Sequence, residues 1–364
     1  MIRAVLVTLG FLAALFLLWL SWPSRLSPAY WDEPEPPVLT GVLEPRGRLS
    51  TAERFAQGLI DSSEDIAIGP DGAIYTGQRD GRLVRIDTGV TPARVETVAQ
   101  VTDKPVLGLQ WMQDGRLAAA ASDGLYGIDV NTSEVELFTS GPADRPFGFA
   151  NDLDVAEDGL IFFTESSWRW PNATDEPSFQ LDMAENRPYG ALYCYHPGTG
   201  ETTLLTDGLY YANGVAMAAD GQSVFFLETF RYRLNRYWIA GPRAGERDIV
   251  ADNLPGIPDG LMGDGNGRLF IAMDTQRVPL LRFLHRNPFW TRMLTKLPEF
   301  VWLRSGTPKA FILMLDEDGN YLDSWHDGTG EMGFIANVVP DADGSLWIGH
   351  LDRPFLSRFT PPTP

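Results

Sequence analysis

Residues 151–167 read NDLDVAEDGLIFFTESS, and residues 213–229 read NGVAMAADGQSVFFLET. Each begins with Asn, reaches an Asp-Gly pair seven residues on, and continues into an apolar, strand-forming run. Asp-Gly between two such runs signals a hairpin, because the turn needs backbone at positive φ, which Gly adopts without strain. Four more stretches repeat the pattern: EDIAIGPDGAIYTG from Glu64, LGLQWMQDGRLAAA from Leu107, DGLMGDGNGRLFIAMD from Asp259 and ANVVPDADGSLWIGH from Ala336. The turn residue falls seven positions after the head in all six, at Asp71, Asp114, Asp158, Asp220, Asn266 and Asp343. Successive heads lie 43, 44, 62, 46 and 77 residues apart. A near-constant period stretched by insertions, with further meander strands such as GALYCYHPGTGETTLL, predicts an all-β six-bladed β-propeller over residues 51–364.

The two long spacings hold the insertions. Ser166 to Pro188 is polar, Pro-containing and poorly periodic, which predicts a long loop. Thr275 to Val301 carries Leu, Phe, Trp and Met among Arg and Lys, which predicts an amphipathic helix or a pair broken at Pro288. That insertion suits a lid completing the core, a hydrophobic wall built on Phe283, Phe289 and Trp290 for a substrate, or a face resting on a membrane.

The chain has 364 residues and a formal net charge of -19, an acidic balance that excludes a nucleic-acid backbone as partner. Its one cysteine, Cys194, allows no intrachain disulfide and sits in an alternating strand pattern as a buried thiol. After Arg3, the stretch from Ala4 to Leu20 contains no charge and would span about 25 Å as a helix. With no prompt cleavage site after it, residues 1–23 read as a transmembrane signal-anchor, a cleaved signal peptide being the rival. The acidic, Pro-rich YWDEPEPP beyond it puts the N-terminus in the cytoplasm and the propeller on the extracytoplasmic, periplasmic or lumenal side. This predicts a single-pass membrane protein with residues 24–50 as linker and lead-in. NTS at Asn131 and NAT at Asn172 match the glycosylation pattern.

In a propeller the innermost strand of each blade runs along the central channel, so the heads converge on the axis. Four of the six are oxygen-bearing: Glu64, Asn151, Asn213 and Asp259. Two carboxylates and two amide oxygens at one mouth are hard-cation donors and suit calcium. Magnesium prefers to keep its waters, and the four histidines, His196, His285, His326 and His350, are too dispersed for zinc. Asn and Asp ahead of a strand also cap turns, so each residue taken singly has a purely local explanation.

GAIYTGQRDGRLVRI (Gly72 to Ile86), NDLDVAEDGLIFFTESSWRW (Asn151 to Trp170), YANGVAMAADGQSVFFLET (Tyr211 to Thr229), LPGIPDGL (Leu254 to Leu261) and the terminal LWIGHLDRPFLSRF resemble the strictosidine synthase-like family. Within it the chain is most similar to the adipocyte plasma membrane-associated protein-like group. The wider kin are the calcium-dependent six-bladed lactonases, gluconolactonases and paraoxonases among them. The resemblance implies an N-terminal anchor and one calcium held by Glu64, Asn151, Asn213 and Asp259, polarising an ester carbonyl. It implies a base near the metal, with Asp152 favoured by its place beside a ligand and Asp274, closing a strand, expected farther down.

Some positions depart from these relatives. Leu107 stands where paraoxonases hold a histidine. Ala336 and Asn337 stand where the plant synthase carries its glutamate, so condensation of an amine with an aldehyde is not expected. Glu331, just upstream, is a second catalytic candidate, and Leu107 and Ala336 join Phe283, Phe289 and Trp290 as pocket residues. The expected function is calcium-dependent hydrolysis of lactones or small apolar or aryl esters. The alternatives are a membrane-tethered binding scaffold with a structural calcium, or sugar or polyphenol recognition through Trp168 and Trp170.

Overall fold

A computed structural model describes residues 2–142, 144–171, 177–302 and 307–362. Asn172 lies outside them. At the six repeat turns the glycines, such as Gly159 and Gly221, take φ between 66° and 85°. In five turns the Asp carboxylate accepts the N–H two residues on, as Asp158 does from Leu160 at 3.1 Å and Asp220 from Gln222 at 2.9 Å. Where Asn266 replaces the Asp, Asp264 takes over and accepts the amides of both Asn266 and Arg268.

Around these turns the chain forms six four-stranded antiparallel sheets, the blades of an all-β six-bladed propeller. Blade 1 runs Ile66–Ile68, Ile74–Gly77, Arg82–Asp87 and Arg94–Gln100 from axis to rim. The inner strands of blades 2 to 6 are Val106–Trp111, Ala150–Val155, Ala212–Met217, Gly256–Gly263 and Ile335–Pro340. The outermost strand of blade 6 comes from the other end of the chain. Glu53–Phe55 pairs antiparallel with Leu356–Phe359, Glu53 opposite Arg358, and so closes the ring.

The core is a ring of six apolar layers, one between each pair of neighbouring blades, which explains why the strands read as continuous apolar runs. Successive side chains point to opposite faces of a strand, and here both faces are covered. Phe163 packs toward blade 2 with Ala118 and Leu125, while Phe162 packs toward blade 4 with Val224 and Phe226. Phe225 and Ile271 fill the layer between blades 4 and 5, and Phe270 and Ile348 the layer between 5 and 6.

Outside the ring, the insertion from Ser166 contains a helix, Ser178–Glu185, in place of the expected continuous loop. The second insertion forms Pro279–His285, Pro288–Leu294 and Glu299–Trp302. Residues 24–50 lie against the propeller. Ser27 N donates to Glu185 at 2.6 Å, Trp31 N donates to the His285 carbonyl, and the buried Glu33 carboxylate meets His285 Nδ1 at 2.7 Å. His285 Nε2 in turn bonds the Met183 carbonyl at 2.9 Å, so the lead-in joins the two insertions.

The N-terminal segment is helical over Ile2–Ser21. Among the described residues, however, no helix is long and apolar enough to cross a membrane. The transmembrane signal-anchor, the single-pass topology and the membrane as partner, whether through the anchor or the 275–301 face, are therefore corrected.

Neighbouring blades approach closely near the axis. A Cβ on Gly214 would lie 2.3 Å from Leu261 N and 2.6 Å from the Gly260 carbonyl carbon. Gly214→Ala is expected to destabilise the protein by about 1–3 kcal/mol through overpacking, whereas a Cβ on Gly198 would meet only the His196 ring. Urea unfolding of both variants checks this, with the loss confined to Gly214→Ala.

Candidate metal and substrate site at the channel mouth

Five inner strands carry the same irregularity. The register against the second strand slips between Val106 and Leu109, Ala150 and Leu153, Ala212 and Val215, Pro258 and Leu261, and Ile335 and Val338. Each slip brackets a repeat head and the residue after it. In blade 1 the corresponding Glu64 and Asp65 follow the Ser63–His350 bridge and precede the strand. A bulge of this kind re-aims the side chains it contains. The heads go to the channel, and the next residues go into the seam between blades.

All six heads, Glu64, Leu107, Asn151, Asn213, Asp259 and Ala336, line one void of about 10 Å³. The four oxygen-bearing heads also line a cavity of about 520 Å³ on their outer side. They form the partition between the two spaces. Asn151 spends its amide N–H on Ser166 Oγ at 2.8 Å, and Asn213 donates to Thr229 Oγ1 at 3.2 Å and Asp259 Oδ1 at 2.6 Å. Among the described residues no donor reaches the Oδ1 of either Asn, so both remain available as ligands.

Electrostatics at the partition are unfavourable for the protein alone. Burial, and then the charge of Asp259, push the Glu64 carboxyl up to about 8, against the opposing pull of Arg79. Burial raises Asp259 to about 7, the Asn213 hydrogen bond working the other way. Asp274 lines the same outer cavity, is buried, and is held well above the usual carboxylate range by burial and then by Asp259, Asp352 and Glu64. Its Oδ1 has no hydrogen-bond partner among the described residues. Among those residues no group of three or more His, Cys, Asp or Glu is arranged to hold a metal. A calcium site here has to combine the Glu64 and Asp259 carboxylates with the two amide oxygens. That donor set, around a void of one-atom size, fits the ion.

Asp152 also borders the void of about 10 Å³, but its carboxylate oxygens are committed, and the remaining sequence-expected residues lie elsewhere. Asp152 points into the blade seam: Oδ1 accepts Leu153 N and Oδ2 accepts Val215 N of blade 4, both at 2.9 Å. Asp65 does the same toward blade 2, accepting Leu109 N at 2.7 Å and the Asn337 amide at 2.5 Å. Glu331 pairs with Arg54 at 2.8 Å on the surface, its side chain 68% exposed, and lines neither space. Phe283 borders a separate cavity beside Glu33 and Arg277, and Phe289 and Trp290 are exposed. The apolar wall of the outer cavity is instead Phe149, Phe179, Tyr211, Ile257 and Phe334. Phe179 meets the Tyr211 ring edge-on at 5.2 Å, and Phe149 meets it at 5.8 Å.

Fold and site together define a six-bladed propeller with an acidic, amide-bearing channel mouth beneath an aromatic-walled cavity. Residues 88–283 match the family described as SMP-30/Gluconolactonase/LRE-like region, and residues 41–86 match Strictosidine synthase-like, N-terminal. The adipocyte plasma membrane-associated protein of Gallus gallus is 32% identical, covering 89% of this chain and 81% of the relative. The Homo sapiens protein of the same name is 31% identical over 98% and 88%. Strictosidine synthase-like 6 of Arabidopsis thaliana is 30% identical over 85% and 83%. Among solved structures, a gluconolactonase from Xanthomonas campestris superposes with a TM-score of 0.61 at 18% identity, covering 94% of this chain and 99% of that one. A calcium-binding regucalcin from Agrobacterium tumefaciens gives 0.55 at 18% identity, over 82% and 90%. The chain belongs to the strictosidine synthase-like and SMP-30/gluconolactonase/LRE-like superfamily of six-bladed propellers.

The seam position of Asp152 has a measurable consequence. Asp152→Ala strands two buried amides and is expected to cost about 2–4 kcal/mol of stability, seen as a lower midpoint in denaturant unfolding. Unchanged stability in that variant would contradict the inter-blade role.

Proposed function

We propose that this protein hydrolyses lactones or small apolar or aryl esters at the channel mouth, with calcium bound by Glu64, Asn151, Asn213 and Asp259. One observation carries this reading above the others. Four donor side chains from four blades line both a void of about 10 Å³ and a cavity large enough for a small molecule, and on the cavity side the buried Asp274 Oδ1 has no hydrogen-bond partner among the described residues. Kinship with proteins described as a gluconolactonase and a calcium-binding regucalcin supports it.

When bound, calcium supplies Lewis-acid polarisation of a carbonyl and positive charge among the carboxylates. The chain's own groups do the rest. Phe149, Phe179 and Tyr211 seat the apolar part of the substrate and exclude water around it. Asp274 Oδ1 accepts a proton from a water molecule as the water oxygen attacks the carbonyl carbon. As the acyl–oxygen bond breaks, the same carboxyl returns that proton to the departing alkoxide. Burial is the first cause that raises Asp274, and Asp259, Asp352 and Glu64 add to it; compensation of the Glu64 and Asp259 charges would remove two of those additions and favour its charged form.

Turnover of a lactone and aryl-ester panel by the full chain, calcium-loaded against chelated, tests the reading. Activity should vanish on chelation and return with calcium, and Asn213→Ala should weaken calcium binding. Asp274→Asn should lower kcat by about 10²–10⁴ while leaving calcium affinity in place. Calcium binding that raises the melting temperature but supports no turnover on any panel member would instead establish a structural ion in a binding scaffold.

A further inference from the structure

The stretches that begin at Asn151 and Asn213 share one more feature. Ser166 follows Glu165 and Thr229 follows Glu228, each hydroxyl residue placed just past the second strand of its blade. Both are buried, at 0% and 1% exposure. Their backbones are held alike: Ser166 N donates to the Phe149 carbonyl at 2.8 Å and Thr229 N to the Tyr211 carbonyl at 3.0 Å, each acceptor lying two residues before a repeat head. So are their hydroxyls. Ser166 Oγ donates to the Ala212 carbonyl at 2.6 Å, and Thr229 Oγ1 donates to the Pro258 carbonyl at 2.8 Å. Ala212 and Pro258 immediately precede the heads Asn213 and Asp259, so each hydroxyl reaches from its own blade to the next.

A hydroxyl carries one hydrogen. With that hydrogen committed to a carbonyl, the oxygen offers the neighbouring Asn only lone pairs. Asn151 meets Ser166 Oγ at 2.8 Å and Asn213 meets Thr229 Oγ1 at 3.2 Å, each through its amide nitrogen. The reverse orientation would set two acceptor oxygens against each other, and it would put an N–H where a cation needs a lone pair. The hydroxyl therefore decides which end of each amide is left for the ion. Asn213 also donates to Asp259 Oδ1 at 2.6 Å, so the orientation set at Thr229 is passed on to a carboxylate of the next blade.

We propose that Ser166 and Thr229 are positioning residues of the channel mouth, fixing the Asn151 and Asn213 amides with Oδ1 left for calcium before the ion arrives. Through the Ala212 and Pro258 carbonyls they chain the heads of blades 3, 4 and 5 into one preset donor set. The proposal rests on the calcium site of the reading above and not on hydrolysis.

Calorimetric titration of the full chain with calcium tests it. Ser166→Ala and Thr229→Val should each lower calcium affinity by about 10–100-fold, and Thr229→Ser, which keeps the hydroxyl, should restore it. If Ser166→Ala does not fold, Ser166→Cys takes its place, a thiol being close in shape but a weak acceptor. Thr76→Val is the control. Thr76 Oγ1 is as deeply buried and donates to the Asp65 carbonyl at 2.7 Å, but among the described residues no Asn amide donates to it. That variant should lower the melting temperature in chelator as the other two do, yet keep the parent's calcium affinity. Unchanged affinity in both Ser166→Ala and Thr229→Val would overturn the positioning role and leave the calcium site standing. An equal loss of affinity in Thr76→Val would also overturn it, marking the effect as general loosening. A parent chain that binds no calcium would overturn the site and the positioning role together. Weakened binding in the two variants of a chain that turns over no ester would remove the hydrolase reading and uphold the positioning role.

Discussion

The bulge at the start of the inner strands is the constraint on which both the ring and its mouth depend. A regular strand would send the head residue and its successor to opposite faces of the blade, and both would disappear into the apolar layers. The extra residue breaks that alternation. One side chain of each pair is released to the axis, and the other is turned into the seam toward the next blade. The same local defect therefore supplies three of the four donors, Asn151, Asn213 and Asp259, with Glu64 coming from the chain just ahead of the blade 1 strand, and it fastens the blades to one another. Where the seam is too tight for a side chain, as at Gly108, Gly214 and Gly260, the follower is glycine. Where there is room, Asp65 and Asp152 reach across to a backbone amide of the next blade.

That arrangement concentrates carboxylates in a poorly solvated channel. Burial raises Asp65 to about 7 and Asp152 well above the usual carboxylate range, with backbone amides pulling both the other way, whereas Glu64 and Asp274 are raised by burial and then by the Asp259 charge beside them. Such uncompensated burial lowers stability and is retained where it serves binding or chemistry. The contrast within a few ångströms separates the residues that hold the ring from those exposed to a ligand.

Much of this was legible in the sequence because hairpin turns lock register. With the turn residue fixed seven positions after each head, the six heads had to fall at one level of the channel, and Glu64, Asn151, Asn213 and Asp259 do line it together. The same arithmetic, carried past the turn, would have found Asp274. Its strand runs back antiparallel, Met273 opposite Pro258, so the end of that strand returns to the mouth beside Asp259. Asp152 misled because one step across a bulge changes the direction of a side chain, and adjacency in sequence records nothing of that. Phe283, Phe289 and Trp290 misled for a different reason: amphipathic spacing shows that a helix has an apolar face without saying what lies against it. Phe179, by contrast, sits in a polar insertion whose composition concealed its helix. The N-terminal apolar run gave a hydropathy signal alone, and among the described residues the helix it forms falls short of a membrane span.

The closure of blade 6 also bears on how the chain reaches this state. Glu53–Phe55 finds its partner only in Leu356–Phe359, at the far end of the sequence. Until the last strands have been synthesised, blade 1 lacks one neighbour and the layer holding Ile66, Val84 and Trp347 stays open to water. Most blades can form early from local hairpins, but the ring itself is a late, long-range event with a large loop to close. A nascent chain that stalls before residue 356 presents two unpaired apolar blade faces, an open arc whose readiest partner is the complementary end of another incomplete copy.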